Sequence, residues 1–496
     1  MNGRISRARP ISMVCAITVA VSMVVLSGGS GSARPSSPSP SGAGVVPTST
    51  VLVLVDDMRT SDLKVLPKTR RWLARDGVRF SAAYAPTPLC CPARATLLTG
   101  QYAHNTGVYD NLAGGIRPGG VSAFDDDLTM ATVLNDSGVS TGYVGKYLNQ
   151  YHHLWVPPGW SDWRAGILDE YRYRHAGDWE VGVGPGLATY DGITTYNLNG
   201  VARTIAGYET TVQTDLSTRF IRRNAAGPFF LLVNYLAPHS TLTPTVATAP
   251  VPHESHEHDY DGLQAPRSRA FNEPDMSDKP TGLQRSAMTP PTIETTDLFA
   301  EGRAESLQSV DDGMMAIRAA LNRQGVLGDT NVIFVSDNGF MLGEHRIPLG
   351  KIWGYEPSAK VPLLMAGPGV PASGVVRQHP VGLHDLASTI TRWHGLGPMP
   401  GADGVPLFAG RAPRRDILLQ GTFEKNAAIS YTGLRTPDRL KYLEYGSGEV
   451  ELYDLAADPQ ELQNLAEEPA HAELRATLAA RLDDLRDCAG AGCLRR

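Results

Sequence analysis

Four oxygen-bearing side chains stand in two adjacent pairs, Asp56–Asp57 and Asp337–Asn338, and each pair closes a short apolar run, TSTVLVLVDD and TNVIFVSDNG. A lone Asp after a strand serves as a helix cap, but neighbouring carboxylates repel and need a cation or solvent between them. Four oxygen donors suit a hard divalent ion, Ca2+ or Mg2+, and not zinc, which prefers His and Cys. A second oddity is TPLCCPARATLLTGQY, where Cys90 and Cys91 stand side by side ahead of Pro92, Arg94 and the opening of a helix. Adjacent cysteines rarely meet the geometry of an S–S bond, so a disulfide between them is a poor explanation.

Elements must deliver these groups. Short apolar runs alternate with helical patterns along the chain, the signature of an α/β fold with a largely parallel sheet. The run Val51–Val55 has no polar alternation and reads as a strand buried on both faces. GVSTGYVGKY ends on Lys146, and GPFFLLVNYLAPHS runs from Phe229 to Tyr235 and reaches His239 just beyond. A fifth run, KVPLLMAGPG, ends in a Gly/Pro turn with no ionisable group. Ligands gather at the carboxyl ends of strands in open α/β sheets, so strands that finish on ionisable or amide side chains predict one shared crevice. In AESLQSVDDGMMAIRAALNRQG, Leu307, Val310, Met314, Ile317 and Leu321 recur at helical spacing and Gly325 closes the run, so the methionines read as core.

The 496 residues exceed the usual single-domain range, and 42 % hydrophobic with 19 % charged residues excludes wholesale disorder. The net charge is −6, from 45 Lys+Arg against 51 Asp+Glu, with no long basic run. That argues against nucleic acid or an anionic membrane as partner, and an anionic substrate must meet a local cluster of cations. Arg4, Arg7 and Arg9 precede an apolar stretch from Ile11 to Leu26, about right for a signal-peptide core and short for a membrane span. SGGSGSA offers a cleavage site near Ala33, which makes residues 1–33 a signal peptide and 34–48 a Pro/Ser/Gly linker. Export, with no stable membrane partner after cleavage, is expected; an uncleaved N-terminal anchor is the alternative. Cys15 then leaves with the signal, while Cys488 and Cys493 in RDCAGAGCLRR can close a small disulfide loop in an oxidising compartment.

Cys90-Cys91-Pro92-Ala93-Arg94 followed by ATLLTGQY resembles the Cys-x-Pro-Ser/Ala-Arg signature of the type I, formylglycine-dependent sulfatases of the alkaline-phosphatase-like superfamily. Pro92 and Arg94 are in register with Cys90 and not with Cys91. VLVDDMR, GKYLNQY, APHS, SDNGFMLGEHR, GKIWGYE and ELYDLAADPQELQNLA extend the similarity over most of the chain, which looks closest to the N-acetylglucosamine-6-sulfatase-like and related arylsulfatase branch. The resemblance implies an α/β catalytic domain over residues 49–415 and a small antiparallel subdomain over 416–496. AAISYTGLRT, RLKYLEYG and EVELYDL read as the strands of that subdomain, and Glu473–Arg486 as its helix.

It also implies that a formylglycine-generating enzyme oxidises Cys90 to 3-oxoalanine (formylglycine), whose hydrate attacks the sulfur of a sulfate ester. Asp56, Asp57, Cys90, Asp337 and Asn338 then hold Ca2+, with Mg2+ as the alternative. Arg94 steadies the nucleophile beside a helix N-terminus, and Lys146, His239 and Lys351 take the sulfate-binding positions. Either His239 or Lys351 protonates the departing alcohol, and His239 is favoured because its unperturbed pKa lies nearest neutrality. One departure is that Tyr147, Leu148 and Asn149 follow Lys146, where many members have a histidine, so no base for sulfate elimination is assigned.

Cys91 reads as a small buried hydrophobe. His345 reads either as substrate-facing or as a loop residue capping local backbone, and the Pro/Thr-rich stretch bearing His253, His256 and His258 reads as a surface loop, which the resemblance implies borders the substrate mouth. The reaction is expected to be hydrolysis of an aryl sulfate or a sulfated sugar. A phosphodiester or phosphonate monoester hydrolase, or an inert binder of sulfated glycans, are the competing readings. The inert binder is weakest, because it has no reason to keep Cys90, Arg94 and four oxygen ligands together.

Overall fold

Strand β1, Ser49–Val55, is buried along its whole length. Val51, Val53 and Val55 enter one hydrophobic cluster while Leu52 and Leu54 enter another, so both faces of the sheet around it are covered. The computed structural model describes residues 48–494 apart from 115–116, 152–153, 168–171, 174–178, 181–189, 191, 243–246, 372–373, 411–413 and 424. The expected signal peptide, and the linker up to residue 47, lie outside the described residues.

The other strands of the large sheet are β2 (Gly77–Tyr84), β3 (Ser140–Lys146), β4 (Asp162–Gly166), β5 (Ile193–Leu198), β6 (Val201–Ala206), β7 (Phe229–Tyr235), β8 (Thr330–Ser336), β9 (Lys360–Ala366) and β10 (Val375–Arg377), and the two-residue strand Val381–Gly382 also pairs with β2. They lie in the order β10-β2-β9-β8-β1-β7-β3-β4-β5-β6. The segment β8-β1-β7-β3-β4 is parallel throughout. The four strands expected to carry chemistry are therefore immediate neighbours. Val55 pairs with both Ser336 and Tyr235, and Gly145 with Asn234, so their carboxyl ends stop at nearly one level. Strand β9 runs antiparallel to β8, which sends its Gly/Pro end to the opposite edge, away from this crevice.

Helices pack on both faces. On the Leu52/Leu54 face lie α2 (Cys90–Thr99), α3 (Met130–Asp136) and α6 (His384–Trp393); on the valine face lie α1 (Pro67–Arg75), α4 (Glu209–Asn224) and α5 (Pro290–Arg323). Leu307, Val310, Met314, Ile317 and Leu321 are all fully buried on α5, as their spacing predicts. The helix starts well before that run, at Pro290, with Thr289 capping the Thr292 amide. Proline in the first turn lacks only a donor that has no intrahelical partner there, so PP opens this helix instead of excluding it.

A second sheet, β11 (Ile417–Gly421), β12 (Tyr431–Arg435), β13 (Leu440–Tyr445) and β14 (Val450–Asp454), is an antiparallel meander. Leu419, Tyr431, Leu443 and Tyr453 pack against Tyr84, Trp353 and Tyr355, while Leu418, Leu434 and Leu452 pack against α7, Ala472–Arg486. Strand β11 has no polar period because both its faces are covered, which hid it from a reading based on alternation. Beyond α7, Cys488 and Cys493 are disulfide-bonded. The architecture is thus mixed α/β, a large mostly parallel sheet between helices with a small antiparallel sheet after it.

Candidate active site

Strand ends β1 and β8 are stitched together. Ser336 Oγ donates to Val55 O at 2.9 Å and accepts the Met58 amide at 2.8 Å. Asp57 takes a left-handed backbone, φ 69°, which turns its amide onto Asp337 Oδ1 at 3.1 Å. Asn338 Nδ2 donates to Asp57 Oδ1 at 2.7 Å. On β3, Gly145 sits at φ 104°, where a Cβ would lie 2.0 Å from Asn234 O, so only glycine lets β3 close on β7 ahead of Lys146.

Helix α2 starts at Cys90, so its N-terminus faces this cluster. Cys90 Sγ lies 3.5 Å from Asp56 Oδ1, 3.6 Å from Lys146 Nζ and 2.7 Å from Lys351 Nζ. One turn on, Arg94 Nε donates to Asp337 Oδ2 at 2.9 Å and Nη1 to Lys146 O at 2.7 Å, and Nη2 stands 3.3 Å from Asp56 Oδ2. Lys146 Nζ also pairs with Asp56, and Lys351 Nζ with Asp57 Oδ1 at 2.5 Å. His239 places Nε2 3.8 Å from Asp57 Oδ2. Its Nδ1 lies 2.7 Å from Ser240 O, a group that only accepts, so Nδ1 carries the proton. Asp56, Asp57, Cys90, Arg94, Lys146, His239, Asp337, Asn338 and Lys351 therefore meet in one place. Cys91 turns the other way into the core, fully buried, with its amide donating to Asn111 Oδ1.

Burial governs the electrostatics. It alone would push the Asp56 carboxyl up, but Lys146, His239, Arg94 and Lys351 together hold it well below the usual range. Asp337 is pushed up to about 7 by burial and by Asp56, against the pull of Arg94. Burial would lower Lys351, yet Asp57, Cys90 and Asp56 raise it well above its ordinary value; Lys146 is raised against burial in the same way by Asp56 and Cys90. Burial and Asp56 push the Cys90 thiol up to about 12, so the unmodified side chain is a poor nucleophile at neutral pH. Burial and Lys351 push His239 down to about 4, so the imidazole is neutral and acquires a proton only when further negative charge joins it. Lys351 already holds one.

The donor set fits a divalent cation. Ligand atoms of Asp56, Asp57, Cys90 and His239 lie within 4.8 Å of one another. Asn338 Oδ1 is buried with no hydrogen-bond partner among the described residues. Asp337 stands outside the tightest group because Arg94 takes its Oδ2, while the Asp57 and Asn338 amides take Oδ1.

Two supporting residues escaped the sequence reading. Arg303 on α5, 2 % exposed, donates through Nη2 to Asp57 O at 2.7 Å and Asp62 Oδ2 at 2.8 Å, and through Nη1 to Pro238 O at 3.3 Å. It ties the turn bearing Asp57 to the loop bearing His239. The signal was present, since Arg303 lies four residues before Leu307 and so on the buried stripe of α5. Glu209, the first residue of α4, is buried and pushed up to about 8 by burial, which outweighs Lys146 and is reinforced by Asp56. Nothing in its local sequence marks it. His345 faces Glu273, with Nδ1 2.6 Å from Oε2, and stacks on Tyr355, so it braces the loop and not the cluster. His256 bridges Asp259 and Asp312, while His258 meets Asp261 and His253 meets Ser255.

A doubly covered α/β sheet whose strand ends gather lysines, carboxylates and a cysteine in the first turn of a helix forms a crevice suited to an anionic ligand. The Sulfatase family model matches residues 48–396, and the model of the N-sulphoglucosamine sulphohydrolase C-terminal region matches residues 343–488. The chain belongs to the Sulfatase family. It is 30 % identical over 502 residues to the N-acetylglucosamine-6-sulfatase of Capra hircus, covering 89 % of this chain and 84 % of that protein. The arylsulfatase of Volvox carteri is 28 % identical over 506 residues, covering 89 % and 75 %. A putative extracellular sulfatase Sulf-1 homolog of Caenorhabditis elegans is 31 % identical over 335 residues, of which this chain covers only 43 %. Among solved structures, one in complex with its substrate D-glucosamine-2-N,6-O-disulfate superposes with a TM-score of 0.67 at 21 % identity, covering 88 % of this chain and 97 % of that one. The phosphonate monoester hydrolase of Agrobacterium radiobacter superposes with a TM-score of 0.61 at 24 % identity, covering 88 % and 95 %. At such identities the likeness is one of fold.

Proposed function

We propose that the chain is an exported sulfuric ester hydrolase that releases sulfate from a sulfated sugar or an aryl sulfate. Residues 1–33 direct export, residues 49–415 carry the reaction and 416–496 form the appended subdomain. The observation that carries the reading is the setting of Cys90, at the first turn of α2 with Asp56, Lys146 and Lys351 all within 3.6 Å of its sulfur. A thiol held at about 12 has no evident use in that position, whereas a side chain converted to formylglycine by a generating enzyme does. The hydrated aldehyde would supply an oxygen nucleophile for sulfur, and a bound Ca2+ or Mg2+ would offset negative charge on the ester.

The chain's own residues do the rest. Asp56, Asp57 and Asn338 offer the cation oxygen ligands, the Cys90 side chain reaches the same point, and Asp337, held by Arg94, would complete the set. Arg94 fixes the first turn of α2 against Asp337 and Asp56. Lys146 and Lys351 remain protonated and meet the charge on the ester oxygens. Proton delivery to the departing alcohol falls to His239 or Lys351. The neutral imidazole must first take up a proton from solvent, which an arriving anion favours, whereas Lys351 is already protonated.

Mass spectrometry of the peptide containing Cys90, after co-expression with a generating enzyme, tests the modification. A free thiol in active protein would sink it. Paired sulfate, phosphate diester and phosphonate substrates test the reaction, and faster turnover at phosphorus would move the assignment to the competing hydrolase class.

A further inference from the structure

A groove of about 500 Å³ runs between the main body and the small sheet, within the roughly 300–1,000 Å³ typical of small-ligand sites. One wall follows α2 in sequence, with His104, Tyr109 and Arg117; the other comes from the small sheet, with Gln420 and Thr432. Hydrogen bonds tie the small-sheet wall of the groove to segments that lie next to the reaction centre in sequence. The Gln420 amide donates to Pro86 O at 2.8 Å, and Tyr431 OH to Ile352 O at 2.9 Å, while the Ile352 amide donates to Pro88 O at 2.8 Å. Those partners flank Cys90 and Lys351 in sequence. Between Tyr109 and Arg117, Asn111 accepts the Cys91 amide at 2.9 Å.

Amide, hydroxyl and ring groups, the surface a sugar ring prefers, line it together with charged side chains that include the carboxylates of Glu444 and Asp487. Its charges are unequal in availability. Arg486 is paired with Glu444 and Asp483. Arg117 is exposed, lies over the Tyr109 ring at 4.4 Å, and has no carboxylate partner among the described residues. A guanidinium laid flat on an aromatic face is preoriented, and its fork matches a carboxylate or a sulfate.

We infer that this groove is a subsite for the sugar next to the one bearing the scissile ester, and that Arg117 selects a neighbour carrying an anionic group, a carboxylate or a second sulfate. The inference rests on the hydrolase reading and narrows its substrate to an acidic sulfated oligosaccharide.

Calorimetric titration of the full mature protein with three desulfated-product disaccharides, one bearing a uronate, one a second sulfate and one neutral, tests it. At least one acidic product should bind about tenfold more tightly than the neutral one. The uronate and sulfate arms identify which anion is read. Arg117→Ala should erase the preference, and Arg117→Lys should retain part of it. A neutral product binding as tightly as both acidic ones, or a preference that survives Arg117→Ala, overturns the subsite. Selective binding by a protein that hydrolyses no sulfate ester would instead overturn the hydrolase reading and leave the subsite standing.

Discussion

Cys90 and Cys91 share a helical turn and full burial, yet only the first faces the cations. Cys91 packs in the core cluster, so Cys91→Ala should cost about 1 kcal/mol of stability and leave turnover within a few-fold. Cys90→Ala should abolish turnover without a comparable loss of stability. Thermal melts and initial rates on the two variants check both statements, and equal rate losses would overturn the assignment of the proposed modification to Cys90. Glu209 gives a prediction of another kind. Its carboxyl rises from 4.5 to about 8 on folding, because burial outweighs Lys146. The folded chain thus keeps a proton that the unfolded chain has shed across that window. The stabilisation is complete below pH 4.5, falls as the pH rises and is gone above about 8. Urea midpoints of wild type and Glu209→Gln, compared at about pH 5 and about pH 9, should show the slope in the first and its flattening in the second. Parallel slopes would remove Glu209 as their source.

At the scale of elements, the site depends on four parallel strands stopping together and on two helices that address their ends. Helix α2 brings Cys90 and Arg94 from one face, and α5 brings Arg303 from the other. Arg303 bonds two carbonyls and a carboxylate at once, which a single ammonium cannot reproduce. Arg303→Ala should cost about 3 kcal/mol and weaken Ca2+ binding about tenfold, because Asp57 and the His239 loop lose their shared brace. Arg303→Lys should recover stability better than cation affinity. Wild-type Ca2+ affinity in Arg303→Ala, read by calorimetry, would reduce the residue to a packing role.

Across the whole molecule, the proposed cation site joins β1, β8 and α2, segments far apart in sequence. An ion bound there stabilises the native state by mass action. Ca2+ at a hundredfold over its dissociation constant should add about 2.7 kcal/mol, and chelation should remove it. Asn338→Ala, which deletes the unpartnered Oδ1, should shrink the effect. Superimposable melts with Ca2+ and with chelator would exclude a cation from this cluster. The small sheet is anchored by buried polar groups as well as by its apolar face. Tyr355, Tyr445 and Tyr453 all donate to Glu451, and Lys441 Nζ contacts Gly354 O, Glu461 and Glu356. These bonds hold the wall opposite Arg117 in place.

Much of the site was legible in the chain because strand-end chemistry is local. An unbroken apolar run states that a strand is buried, and the polar residue that stops it states where the strand emerges. Asp56, Lys146 and Asp337 were visible for that reason, and the register of Cys90 with Pro92 and Arg94 was visible as spacing. What the sequence alone determined is the inventory: which groups stand at strand ends, which cysteine is in register, and which helix faces are apolar. Only the tertiary structure decided adjacency. It placed β8 beside β1, so that Asp56 and Asp337 share Arg94, and it put Arg303 behind Asp57. It also replaced the ordinary pKa values of Cys90, His239 and Glu209 with those imposed by burial. Desolvation and charge coupling depend on distances between residues remote in sequence, and local patterning carries no record of those distances.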